Sequence, residues 1–554
     1  LFDPRTRGGL FIGAGSGILF QFSVRKREFG AAMWSYAALF IYTAVIALLI
    51  EALRRVISSR RKTFSYFKEI GVDGPPPNLI WGNLWEYHRK GIIHAIHDWC
   101  EKYGDVFGFY NGDVPTLVVK DLDLLSYVFI KNFSNFMNRG VTMRTDEQHE
   151  LLGRSLLNAQ GLQWKRTRSG VSYAFTASKI KQVFPHMDRS CDRLLEAVRE
   201  RANSGKEESV GDLFKPLTMD YISGASFGIQ TSFQEEKNHP LFVMAKTVLP
   251  GTMTGPFHMI AQATTTLKDL VAPLLWLNSK LGSFTYDKFS KLAYKAVEAR
   301  RKNPSPRTMD ILQIMLEAET DENFEETEVK NGQIKVQKKL TPTEVYVNTG
   351  VLLIAGFGTT SAALSNLSFV LAKYPEVQDK VREEVNAAMR KHGHINYTAV
   401  TEDLKYLSNV VDETLRIYPV VVAFNTRSAL NDFEYEGVKY KAGLSIMSPT
   451  IEIQKDPRFW TEPEKFDPDR FLPENVALQH TMAYQPFGQG PRNCIGKRLA
   501  LLETIYTAAR MVNEFRFELG ESQKEKNEML YYSMTCEPKD GPWIKFTKIA
   551  DSTS

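Results

Sequence analysis

Pro486-Phe487-Gly488-Gln489-Gly490-Pro491-Arg492-Asn493-Cys494-Ile495-Gly496 is the stretch on which the reading of this 554-residue chain turns. The two glycines and two prolines ahead of its cysteine predict a loop, and the amphipathic run from Lys497 to Val512 predicts a helix after it. Cys494 therefore stands at the mouth of a helix. There the helix N-terminus and nearby backbone N–H groups favour a thiolate, the form that ligates iron. Hydrogen bonds to the sulfur would tune the metal. An isolated cysteine is far more often a small buried hydrophobe, so the surrounding pattern carries the argument.

Working outward, Phe466-Asp467-Pro468-Asp469-Arg470-Phe471 precedes this loop, and Glu413-Thr414-Leu415-Arg416 lies in a helical pattern over 401–418. Spacing of three puts Glu413 and Arg416 on one helical face; as an exposed pair they would contribute about 0–1 kcal/mol. Another helical pattern covers 375–391. Ahead of it, Thr341-Pro342-Thr343-Glu344 combines a Thr N-cap, Pro at the first helical position and Glu three residues on. The apolar run that follows predicts a helix to about Lys373, roughly 30 residues or ~45 Å long. Being apolar on most faces, that helix belongs inside a large core. It carries Ala355-Gly356-Phe357-Gly358-Thr359-Thr360. Further upstream, Trp164-Lys165-Arg166-Thr167-Arg168 sets an indole and a guanidinium four apart, on one face. Short strand patterns at Thr116–Val119 and Phe433–Tyr435 add a minor sheet, and the polar window from Glu317 to Lys339 predicts a solvated loop. The expected class is mainly α with a minor β-sheet.

Together these segments resemble the cytochrome P450 family. Residues 487–496 fill every specified position of its haem-binding signature, Phe-x-x-Gly-x-Arg-x-Cys-x-Gly. Glu413 and Arg416 match its Glu-x-x-Arg motif, Arg470 its Pro-x-Arg-Phe element, and Trp164 with Arg168 its Trp-x-x-x-Arg element. The likeness spans about residues 70–547, with wording similar to animal microsomal members of the drug-oxidising and thromboxane-synthase branches. It implies haem b with Cys494 as axial thiolate, a ligand that favours O–O cleavage. It implies Phe487 packed beside the sulfur, and Arg492, Trp164, Arg168 and Arg427 as haem-propionate partners. Arg427 lies eleven residues after Arg416, one more than expected for microsomal relatives. Glu413, Arg416 and Arg470 would form a buried triad under the haem loop. In the oxygen-binding element Thr359 fills the Thr position and can relay a proton, while Gly358 replaces the usual Asp or Glu. A missing acid there predicts reduced coupling of electrons to product.

The N-terminal region reads differently. Residues 34–50, WSYAALFIYTAVIALLI, are uncharged, and Arg54, Arg55, Arg60, Arg61 and Lys62 follow. Length and basic flank predict a single transmembrane helix over 33–53 with the rest of the chain cytoplasmic, as in the endoplasmic reticulum membrane. Residues 1–32 precede the first methionine, Met33, and are expected to be a non-native upstream extension. Residues 54–77 form a basic linker ending in the proline hinge Gly74-Pro75-Pro76-Pro77, 78–547 the catalytic domain and 548–554 a tail.

The chain has 69 Lys and Arg against 64 Asp and Glu, and its four cysteines form no CxxC pair. Nucleic-acid binding, a disulfide framework and a zinc site are not indicated. No flavin or nicotinamide fingerprint occurs, so the resemblance implies electrons from NADPH–cytochrome P450 reductase, with cytochrome b5 as a further partner and Lys497 and Arg498 on the docking face. The loop Val420–Phe424 is expected to face the distal pocket, and its composition argues for a small apolar substrate: a steroid, fatty acid, retinoid or xenobiotic. Three activities fit: a monooxygenase, an isomerase or dehydratase of lipid hydroperoxides, and a haem-binding protein without turnover.

Overall fold

Thr341 begins the helix around which the domain is built. Its hydroxyl accepts from the Glu344 N–H at 3.2 Å, and the Glu344 carboxylate accepts from the Thr341 N–H at 2.9 Å, completing a capping box. The helix runs Pro342–Lys373 and ends before Pro375 starts the next, Pro375–His392. Among the described residues it is long and apolar enough to cross a membrane, yet most of it is buried in the domain. Helices Gly211–Phe227, Thr285–Lys302, Pro240–Gly251 and Lys497–Glu514 pack along it. At one point the contact is polar: Thr218 donates its hydroxyl to the Phe357 carbonyl at 2.9 Å.

The computed structural model describes residues 14–140, 151–229, 231–251, 255–263, 273, 276–277, 285–303, 310–324, 327–330, 333–532 and 534–549. Two units are present, residues 1–63 and 64–554. The first carries the helix Ala14–Phe64, on which Leu39, Phe40, Tyr42 and Leu48 are solvent-exposed. The second is mainly α with small sheets. Its four-stranded sheet has the order Val106–Asn111, Val114–Val119, Ser445–Met447, Thr426–Ser428, with Thr116 opposite Ser445 in the one parallel pairing. Phe433–Tyr435 pairs with Val438–Tyr440 in a separate hairpin.

Two expectations need correction. Residues 64–77 belong to the second unit rather than to a hinge ahead of it: Phe67 is buried 5.2 Å from the Tyr110 ring, and Gly108 N–H donates to the Asp73 carbonyl at 2.8 Å. The prolines extend the chain, but buried aromatic rings on both sides hold it. The window 317–339 contains an antiparallel pair, Thr327–Lys330 with Gln333–Val336. Val329, Ile334 and Val336 supply the β-branched positions, and the intervening Asn331-Gly332 is the dipeptide favoured in two-residue hairpins.

The charged motif at 413–416 forms a buried lock. Arg416 donates from Nε to Glu413 Oε2 at 2.7 Å, with both side chains fully buried, and its remaining donors reach the carbonyls of Gln454 (2.8 Å) and Pro463 (2.7 Å). The Asp467 N–H donates to the same carboxylate at 2.9 Å, and Arg470 Nε lies 3.4 Å from it, an ion contact without hydrogen-bond geometry. Burial pushes the Glu413 carboxyl up, and the two arginines oppose that shift. The helix Lys405–Ile417 is thereby tied to the segment leading into residues 486–496.

Candidate active site

The 486–496 loop has its shape because its glycines take positive φ, +68° at Gly488 and +73° at Gly490, and a Cβ at Gly490 would lie 1.9 Å from the Phe129 carbonyl oxygen. The Cys494 N–H donates to the Phe487 carbonyl at 2.8 Å, closing the turn. Gly496 then caps Lys497–Glu514, and the N–H groups of Gly496 and Lys497 point at the Cys494 sulfur. Burial pushes the thiol up, while these two donors and the Arg168 and Lys497 charges pull it down. The exposed surface of Cys494 faces a cavity rather than bulk water, so burial outweighs solvent there.

That cavity encloses ≈ 1530 Å³ of atom-free space, part of it open to solvent. The central helix supplies Val351, Ala355, Gly356, Thr359 and Thr360 to its wall, and Leu156, Phe175, Ile222, Val420, Val421 and Phe424 make most of the rest apolar. A Cβ on Gly356 would lie 2.6 Å from the Ile222 side chain, so glycine lets helix Gly211–Phe227 approach. Thr359 donates to the Ala355 carbonyl at 2.6 Å.

Of the sequence-predicted residues, Trp164, Arg168, Thr359, Phe487, Arg492 and Cys494 share this cavity. Arg168 donates to Asn493 at its carbonyl (2.9 Å) and its side-chain oxygen (3.1 Å), and the Arg492 guanidinium lies 4.5 Å from the Trp164 ring. Two residues are elsewhere. Arg427 is buried behind the wall, 4.2 Å from the Phe129 ring, donating to the carbonyls of Thr426 (2.7 Å) and Gln489 (3.0 Å), and burial drives its pKa down. Gly358 lines a small adjoining cleft.

The sequence reading missed two residues. Arg139 lies on the cavity wall, 3.8 Å from the Phe424 ring and bonded to the carbonyls of Leu157 (3.1 Å) and Phe424 (2.7 Å). Glu503, on the buried side of Lys497–Glu514, lines the cavity near Thr360, and burial pushes it up to about 8. Its one signal in the sequence is a carboxylate on the otherwise apolar face of that helix. Three guanidinium groups thus converge on a cavity whose sole carboxyl, among the described residues, is pushed toward its neutral form by burial.

A family profile described as Cytochrome P450 matches residues 72–542. The chain belongs to the cytochrome P450 family. Cytochrome P450 3A9 of Rattus norvegicus is 32% identical over 455 residues, covering 82% of this chain and 86% of the rat protein. Cytochrome P450 3A5 of Homo sapiens is 32% identical over 460 residues, 82% of this chain and 87% of the human one. Cytochrome P450 3A29 of Sus scrofa is 31% identical over 462 residues, covering 82% and 88%. P450s are monooxygenases that bind haem b through a cysteine thiolate. The residues of this P450 fit that group: an apolar cavity, a thiol on a helix mouth, and an excess of cations suited to a ligand bearing carboxylates.

Proposed function

We propose that this P450 inserts one atom of O2 into a small apolar substrate, such as a steroid, fatty acid or xenobiotic, with electrons from NADPH through NADPH–cytochrome P450 reductase and with cytochrome b5 as a further donor. The observation that carries the reading is the meeting of Cys494, Thr359 and an apolar wall in one cavity. Bound haem supplies the oxygen activation. Cys494 would hold it through sulfur, with the Gly496 and Lys497 N–H groups favouring the thiolate. Arg139, Arg168 and Arg492 would pair with its carboxylates, and Trp164 and Phe487 would line its site. Thr359 would hold a proton in the same cavity, and Val420, Val421 and Phe424 would orient the apolar substrate and exclude water. Product formed from NADPH, O2 and reductase supports this reading. Gly358, where the family usually places an acid, keeps a second one in view, isomerisation of a lipid hydroperoxide; turnover of hydroperoxide with no reductase, and none with NADPH, would establish it instead.

The helix segment 33–53 is proposed as a single membrane anchor, with the catalytic domain on the cytoplasmic side of the endoplasmic reticulum membrane. The uncharged run, its exposed side chains and the arginines after it support this. Removing residues 1–62 is expected to shift most of the protein from the membrane pellet to the soluble fraction while haem content stays at the full-length level. A truncated protein that is folded but haem-free would contradict it.

A further inference from the structure

The cleft beside Gly358 has walls from three helices and a hairpin. Gly358 and Thr359 come from the central helix, Lys215 from Gly211–Phe227 and Lys246 from Pro240–Gly251. The terminal hairpin adds Tyr532 and Glu537. Glu537 is fixed from two sides: Lys215 Nζ lies 3.1 Å from one carboxylate oxygen, and the Tyr532 hydroxyl donates to the other at 2.8 Å. The pair still reaches bulk water, the Glu537 side chain being 23% exposed. The cleft encloses ≈ 430 Å³ of atom-free space, part of it open to solvent, and admits water. Thr359, with Val420, lines both this cleft and the main cavity, so the residue lies between the two.

A glycine at 358 removes a carboxyl from the helix, and the space beside it holds a carboxyl from another part of the chain. Resting on the monooxygenase reading above, we infer that Glu537, held by Lys215 and Tyr532, is the relay carboxyl that feeds protons through this cleft to Thr359 in place of an acidic side chain at 358. One proton enters Glu537 from solvent and crosses cleft water to the Thr359 oxygen as the Thr359 hydroxyl releases its own into the cavity. Glu537 is then reprotonated from outside. No electrons travel this path. Glu537 acts through Thr359 and not on the reacting atoms. Coupling is therefore preserved despite Gly358, contrary to what the sequence element alone predicts.

The test uses the full-length haem-loaded protein with reductase and NADPH, progesterone as an apolar probe, and peroxide released per NADPH as the readout, which requires no knowledge of the natural substrate. Glu537→Gln is expected to raise that ratio several-fold, a smaller change than the about 10²–10⁴-fold a positioned acid contributes to a rate because water still reaches the cleft, and to enlarge the solvent deuterium isotope effect. Lys215→Met is expected to move both in the same direction. Glu528→Gln, on the exposed Lys524–Glu528 pair of the same region, should change neither. Adding Gly358→Glu to Glu537→Gln is expected to restore low peroxide, an outcome that a merely structural role for Glu537 does not produce. In the resting protein, acylation of Lys215 by acetic anhydride should quicken in Glu537→Gln as the amine loses its partner. Wild-type peroxide yield and isotope effect in a Glu537→Gln protein that keeps its reduced carbon-monoxide band would overturn the relay. So would a rise confined to Glu503→Gln, which places the proton path on the other side of Thr359. If the wild type oxidises no NADPH with reductase, the monooxygenase reading itself fails and the relay falls with it.

Discussion

Replacing Cys494 with Ala is expected to abolish the red-shifted carbon-monoxide band of the reduced protein completely. That band requires a thiolate opposite the bound gas, and among the described residues Cys494 is the only cysteine on the cavity wall. Cys100, Cys191 and Cys536 are buried in the protein, where burial pushes the first two up to about 12 and the third higher still, so each is a thiol packed as a hydrophobe. Each of them changed singly to Ala should leave the band position unchanged. The measurement is a reduced carbon-monoxide difference spectrum of all four variants, normalised to folded protein. Persistence of the band in Cys494→Ala would remove the basis of the proposed function.

Glu413→Ala is expected to have the next largest effect, on folding rather than on chemistry. Arg416 would keep its charge in a fully buried site with its carboxylate partner gone, a loss that typically costs about 3–5 kcal/mol. Against a total stability of about 5–15 kcal/mol that is a large share. The Asp467 N–H would also lose its acceptor, and with it the tie between helix Lys405–Ile417 and the segment entering the 486–496 loop. The expected result is little or no haem incorporated at physiological temperature and an early midpoint in urea unfolding. Haem content and unfolding midpoint equal to the wild type would show that the lock is dispensable.

Much of this architecture can be read from the chain itself, for reasons that differ by element. The start of the central helix is encoded locally, since Thr341, Pro342 and Glu344 satisfy and terminate the backbone by themselves. The 486–496 loop is equally local, because its glycines are demanded by positive φ and by the approach of Phe129. The position of Arg427 is not local. Spacing counted along the chain does not decide which face of strand Thr426–Ser428 a side chain takes, and a one-residue slip exchanges the two faces. Arg139 sits outside any regular helix or strand, in no periodic pattern, and reaches the cavity only because Phe424, far away in sequence, supplies its ring and carbonyl. The role of Gly358 depends on a hairpin nearly 180 residues further on, which no motif around the glycine announces.

Glu344 does more than start a helix. Arg166 donates to its carboxylate at 2.6 Å and Gln163 at 3.2 Å, both from helix Gly161–Ser172, which also carries Trp164 and Arg168. One buried carboxylate thus clamps the helix bearing Thr359 to the helix bearing Arg168. The opposing surface is hung differently: Val420–Phe424 is attached to the terminal hairpin by backbone bonds from Val422 to Met534 and from Cys536 to Val420, each 2.9 Å. The size of guest the cavity admits is therefore expected to depend on the terminal hairpin that holds Val420–Phe424 as well as on the helix that carries Thr359.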